Sequence, residues 1–236
     1  MTKNMKIIPA LDMTDLDKLE ALMQAVDEHP LIYGYKLGFG LGLTYGLPRV
    51  CQLLRKHTNK ALIYDHQKAA TDIPATGKLF AEIMKSSGIQ EVILFPQSGP
   101  ETLKAWNQAL KEKDLKVIVG GIMTHAAYLE SEGGFIRDSS GAEIYRLAYE
   151  EGVRDFVVPL TKPEETEKVF RDAGLNDTCT FYSPGYGSQG GDPAQFPMIA
   201  NHYLIVGRSL LNAEDPGKYL WDVSENLKQT LLWSHE

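Results

Sequence analysis

The chain has only two cysteines, Cys51 and Cys179, in 236 residues. That excludes a disulfide framework. Two thiols in apolar surroundings read as buried and free, which suits a reducing cytoplasm. Long apolar runs are also missing, so no segment approaches membrane-spanning length. The stretch Ile7-Ile8-Pro9-Ala10-Leu11 is too short for the core of a secretory signal. Positive charge is in deficit: 24 Lys and Arg face 31 Asp and Glu, a net charge of −7. Nucleic acid is therefore not an expected partner. The six histidines (29, 57, 66, 125, 202 and 235) show no metal-ligand spacing. There is no Walker or Rossmann glycine motif, no evident Ser–His–Asp set, no low-complexity segment and no linker.

What is present is ordinary globular composition, 43% hydrophobic and 23% charged, enough for one large core. We expect a single domain over residues 1–236. Short β-rich runs recur at Lys6–Asp12, Leu31–Gly38, Ala61–Asp65, Glu91–Phe95, Leu115–Gly120, Asp155–Val158, Thr178–Tyr182 and Tyr203–Val206. Their near-continuous apolar character is that of strands covered on both faces. Helical patterns fill the gaps. Leu16, Leu19, Leu22, Met23 and Val26 share one face of the first, with Thr14 or Asp15 as its cap. Others are expected at Pro48–His57, Pro74–Ser87, Pro100–Glu112, Ala142–Glu151, Pro163–Ala173 and Pro216–Leu232, several opening on a first-turn proline. Eight strand–helix units in this length predict a (β/α)8 barrel, with a doubly wound sheet as the alternative.

Barrel enzymes work at the C-terminal ends of their strands, so polar residues there carry the weight. Asp12 ends the first strand. Lys36 lies inside the second, where a buried unpaired ammonium is expensive and calls for a carboxylate or an anion. After the third come Asp65, His66, Lys68 and Asp72; with Lys36, two acids and two lysines can form an alternating array. Asp72, just before Ile73-Pro74, also suits a helix N-cap. Thr124 and His125 follow the fifth strand. The irregular stretch Met123–Ser140 is long enough to be an active-site loop. Late in the chain, Ser183-Pro184-Gly185-Tyr186-Gly187-Ser188-Gln189-Gly190-Gly191-Asp192-Pro193 and Leu204-Ile205-Val206-Gly207-Arg208-Ser209 pair glycine-rich strand ends with polar anchors. Glycines let backbone N–H groups approach an anion, and Arg208 adds a planar fork of donors, so the pair predicts a phosphate cradle.

This combination resembles the orotidine 5′-phosphate decarboxylase family over nearly the whole chain. Residues 184–193 resemble its Pro-Gly-x-Gly-x-Gln-Gly-Gly-Asp signature, and Val206-Gly207-Arg208-Ser209 its strand-eight phosphate element. Ala10-Leu11-Asp12, Lys36 and Asp72-Ile73-Pro74-Ala75-Thr76 match further segments. One departure lies after strand three, where the family's Asp-x-Lys-x-x-Asp is one residue longer in each gap. Either Asp65 or His66 takes the acid position.

The resemblance implies a metal- and cofactor-free enzyme converting orotidine 5′-monophosphate to UMP. It implies Lys68 as proton donor, Asp65 and Asp72 beside it, and Lys36 completing the array. Asp12 and Lys36 would hold the ribose hydroxyls and Thr124 the pyrimidine edge. Pro184, Gln189, Gly207 and Arg208 would form the phosphate end. It further implies a cytoplasmic homodimer in which Asp72 and Thr76 act across the interface. The Tyr186 segment and the loop after strand five would be covers. Two other readings stay open: a Mg²⁺-dependent sugar-phosphate decarboxylase or synthase of the same barrel group, and a phosphate-ligand binder without catalysis.

Overall fold

The computed structural model describes residues 4–65 and 71–233, with side chains to residue 228. Eight parallel strands close into a barrel in sequence order, the last pairing with the first. They are β1 (Asn4–Leu11), β2 (Gly34–Leu37), β3 (Ala61–Asp65), β4 (Glu91–Leu94), β5 (Lys116–Gly120), β6 (Asp155–Val157), β7 (Thr180–Pro184) and β8 (Asn201–Val206). The doubly wound alternative is set aside by this closure.

The helices are α1 (Leu16–Val26), α2 (Phe39–Tyr45), α3 (Leu47–Leu54), α4 (Gly77–Ser86), α5 (Pro100–Lys111), α6 (Ser140–Glu150), α7 (Pro163–Asp172), α8 (Arg208–Leu211) and α9 (Pro216–Trp233). Asp15 is the cap of α1, accepting from the Lys18 N–H at 3.0 Å. Leu19, Leu22, Met23 and Val26 are buried as the helical spacing predicts. Two short helices, α2 and α8, were not expected. Strand seven sits two residues later than its pattern suggests, at Thr180–Pro184, because the Thr180 N–H pairs with the Arg154 carbonyl and so sets the strand's start.

The core has two layers. Ile8, Ala10, Ile63, Ile93, Phe95, Ile118, Val157, Tyr182 and Ile205 fill the barrel interior. A larger cluster fills the space between sheet and helices and includes Leu37, Leu62, Val92, Val119 and Phe181. Strands buried on both faces lose the in/out alternation of polarity, which is why they read as unbroken apolar runs. Both cysteines are buried and free, and burial pushes the Cys51 thiol up to about 11. Among the described residues no helix is long and apolar enough to cross a membrane.

Candidate active site

Strand register decides which side chains reach the mouth. Ala10, Lys36 and Ile63 lie at one level across β1, β2 and β3. Ala10 and Ile63 belong to the interior layer, so Lys36 between them points inward. Side chains two residues apart share a face. Asp12 and Asp65, two beyond Ala10 and Ile63, therefore rise over the same face at the C-terminal rim.

The resulting array is compact. Lys36 Nζ lies 2.9 Å from Asp65 Oδ2 and 3.4 Å from Asp12 Oδ1. The side chains of Lys36 and Asp65 are 9% and 8% exposed, whereas that of Asp12 is 55% exposed. Burial opposes the charge on Lys36, but Asp65 and Asp12 outweigh it and hold the pKa above the ordinary lysine value. Lys36 is thus a fixed ammonium rather than an edge lysine reaching water. Asp65 Oδ1 is buried and has no hydrogen-bond partner among the described residues. Gly38 makes the crowding possible: a Cβ there would stand 2.7 Å from Asp12 Oδ1.

The array forms one wall of a cavity of about 220 Å³ at the barrel mouth. Thr124, His125, Pro184, Gln189, Gly207 and Arg208 line its other sides. Arg208 is exposed and makes no ion pair among the described residues. A wider space of about 870 Å³ shares Asp12, Lys36 and Asp65 and opens toward Phe39, Leu43 and Phe135. The loop after β5 is tied down beside it. Tyr128 Oη donates to the Gly121 carbonyl at 3.0 Å, Gln97 Nε2 donates to Tyr128 Oη at 3.0 Å, and Glu132 pairs with Lys162.

The structure therefore brings together Asp12, Lys36, Asp65, Thr124, Pro184, Gln189, Gly207 and Arg208. Asp72 and Thr76 line neither space. Asp72 is not the helix cap its position suggests. Its carboxylate accepts from the next residue's N–H, Ile73, at 2.7 Å, and Ile73 stands at the cap of the 3-10 turn Pro74–Thr76. The Thr76 hydroxyl donates to the Ile73 carbonyl at 2.7 Å. Lys68 and His66 lie outside the described residues. The apolar floor of the cavity, Ile93, Phe95, Met123, Val157 and Ile205, was not among the expected site residues, which were all sought among polar strand ends and glycine-rich loops. Inward alternation in β4, β6 and β8 was the available signal. His125, a strand-end histidine without metal-ligand spacing in the sequence, lines both spaces.

A closed (β/α)8 barrel with an acid–lysine–acid array and a glycine-rich cradle facing each other across its C-terminal mouth has the architecture of a barrel enzyme acting on an anionic ligand. Residues 5–220 match the family model described as Orotidine 5′-phosphate decarboxylase / HUMPS family, and the chain belongs to that family. It is 30% identical over 231 residues to the orotidine 5′-phosphate decarboxylase of Methanosarcina mazei, covering 98% of this chain and 99% of that protein. The Methanosarcina barkeri enzyme of the same name is 32% identical over 216 residues, 92% of this chain and 91% of that protein. Among solved structures, orotidine 5′-monophosphate decarboxylase from Methanocaldococcus jannaschii, complexed with the inhibitor BMP, superposes with a TM-score of 0.78 at 26% identity. That match covers 96% of this chain and 98% of the other.

Proposed function

We propose that this protein decarboxylates orotidine 5′-monophosphate to UMP, a step of pyrimidine biosynthesis, without metal or organic cofactor. The observation that carries the reading is Lys36, buried between Asp12 and Asp65 in a cavity whose far side presents Gln189 and Arg208. A nucleotide spans those two ends, with its ribose and base at the array and its phosphate at the cradle. The family membership and the nucleotide decarboxylase named in its relatives support the same substrate.

In the reaction the bond between C6 and the carboxylate breaks, CO2 leaves, and the electron pair stays on C6. The ammonium of Lys68 then gives its proton to C6, and solvent restores it. The carbanion has little delocalisation, so fixed positive charge must stabilise it, a contribution that a preorganised site makes without reorganising. Asp65 and Asp72 hold the lysines charged and in place. That Asp65 Oδ1 has no partner among the described residues supports a further cation arriving at that oxygen. Asp12 and Lys36 hold the ribose hydroxyls and Thr124 the pyrimidine edge. Pro184, Gln189, Gly207 and Arg208 grip the phosphate, whose remote binding energy lowers the barrier. Asp72 and Thr76 act in a homodimer, reaching the neighbouring cavity. Asp72 is exposed and Thr76 half-buried, beside the exposed Ile73 and Leu79, which supports that role. A cytoplasmic location goes with this reading.

The test is direct. Wild-type protein with orotidine 5′-monophosphate consumes the substrate ultraviolet band, and EDTA leaves the rate unchanged. Lys68→Ala abolishes turnover while UMP still binds. An absence of turnover at high enzyme concentration sinks the reading. Loss of activity to EDTA redirects it to a metal-dependent sugar-phosphate enzyme, and near-normal turnover by Lys68→Ala removes that residue from its role.

A further inference from the structure

The glycine-rich loop 185–191 brings Ser188 and Gln189 to the cavity, yet its tip is exposed. Gly187 has φ +77, a backbone conformation that residues with side chains rarely adopt. Within the loop the Gly190 N–H bonds the Gly187 carbonyl at 2.9 Å, and the Gly191 N–H bonds the Gly185 carbonyl at 3.0 Å. These bonds shape the turn but do not fix it to the barrel.

Ser209 supplies the outside anchor. The Ser188 N–H donates to Ser209 Oγ at 2.9 Å. Ser209 follows Arg208 in α8, and the Tyr219 hydroxyl of α9 reaches the same spot beside Gly187. The three elements touch closely: a Cβ on Gly187 would stand 2.5 Å from Ser209 Oγ and 3.2 Å from Tyr219 Oη. Neither Ser209 nor Tyr219 lines the cavity. The Ser188–Ser209 bond, with Tyr219 packed beside it, therefore lies behind the cradle and links the loop carrying Gln189 to the short helix carrying Arg208.

We propose that Ser209, backed by Tyr219, is a positioning residue that pins the glycine loop in register with Arg208, so that the two phosphate-gripping groups act as one preorganised site. This rests on the decarboxylase reading for its ligand, but the pinning is a property of the free protein. Binding to a preordered loop spares the ligand the cost of ordering it.

The experiment compares wild type, Ser209→Ala and Tyr219→Phe. Steady-state kinetics use orotidine 5′-monophosphate and, as a phosphate-free control, orotidine. Amide exchange at Ser188 is followed in the free proteins. Ser209→Ala is expected to raise KM for the nucleotide about tenfold with kcat within about threefold, and to leave kcat/KM for orotidine unchanged. Its Ser188 amide exchanges about tenfold faster. Tyr219→Phe does the same to a smaller degree, and serves if Ser209→Ala is poorly folded. An unchanged KM, or an equal loss on orotidine, overturns the proposal, as does unchanged exchange at Ser188. If wild type does not decarboxylate the nucleotide, the functional reading falls, while the exchange rates still decide whether the pin exists.

Discussion

The barrel carries a lysine between two carboxylates at each end. At the C-terminal mouth Lys36 stands between Asp12 and Asp65, and at the N-terminal end Lys116 lies 3.4 Å from Glu91 and 3.6 Å from Asp155. The charges match, but the surroundings do not. At the N-terminal end tyrosines close the network. Lys116 Nζ donates to Tyr33 Oη at 2.8 Å, Tyr33 Oη donates to Glu91, and Tyr182 Oη donates to Asp155 at 3.0 Å. At the mouth no tyrosine bridges the array among the described residues; Asp12 and Asp65 line the cavity, and Asp65 Oδ1 is buried without a partner among those residues. The same three charges thus form a tyrosine-bridged network at the N-terminal end, where Glu91 Oε2 still has no partner among the described residues, and the wall of an open cavity at the mouth. Buried polar groups left incompletely satisfied at a cavity are where function concentrates.

The largest expected effect separates the two ends by activity. Lys36→Gln lowers kcat/KM for the nucleotide by about 10³-fold, in the range for removing a preorganised charge, and steady-state kinetics measure it. A drop below about tenfold would make the mouth array as structural as its counterpart. The next effect runs the other way. Lys116→Met leaves Glu91 and Asp155 without their cation and costs about 2 kcal/mol, less than a fully buried pair because the lysine side chain is 39% exposed. Denaturant unfolding reads that loss, and kcat stays within about threefold.

The smallest effect is in the pH dependence of stability. Burial, partly offset by Lys116, raises the Glu91 carboxyl above its ordinary 4.5, and burial likewise raises that of Asp155 above 3.8. The folded state then binds those protons more tightly than the unfolded chain does. Their contribution favours folding at acid pH and declines as pH rises above the ordinary carboxylate values. Glu91→Gln should flatten the fall in stability from about pH 4 to 7. Lys36 behaves differently: with its pKa raised above 10.5, its contribution is complete below that value and is lost only at higher pH. A wild-type stability that rises steadily over the acid range would refute the assignment to the N-terminal network.

The two ends were unequally legible in the sequence. Lys36 stood out because an ammonium inside an apolar strand needs an explanation, and Asp12 and Asp65 because they end strands. Glu91, Lys116 and Asp155 were passed over. Each is the first residue of its strand, where a charge normally meets water, and only the register Glu91↔Lys116 and Ile118↔Asp155 draws them together. The eight strands were readable because burial on both faces leaves an unbroken apolar signature. Helix α2 was not, since Phe39-Gly40-Leu41-Gly42-Leu43-Thr44-Tyr45 has two glycines and weak helical propensity, and exposes Phe39 and Leu43. The cradle was legible as a motif, but the pin from Ser209 to Ser188 joins residues 21 apart in sequence and needed coordinates.

Gly38 looks like a mere joint between β2 and α2. Its missing side chain leaves the space that the tip of the Asp12 carboxylate occupies, so the carboxylate's present place depends on the joint that follows the adjacent strand. The aspartate and the glycine are chemically unlike, yet a side chain at position 38 is admitted only if the Asp12 carboxylate swings aside, so the shape of this rim depends in part on a residue that carries no functional group.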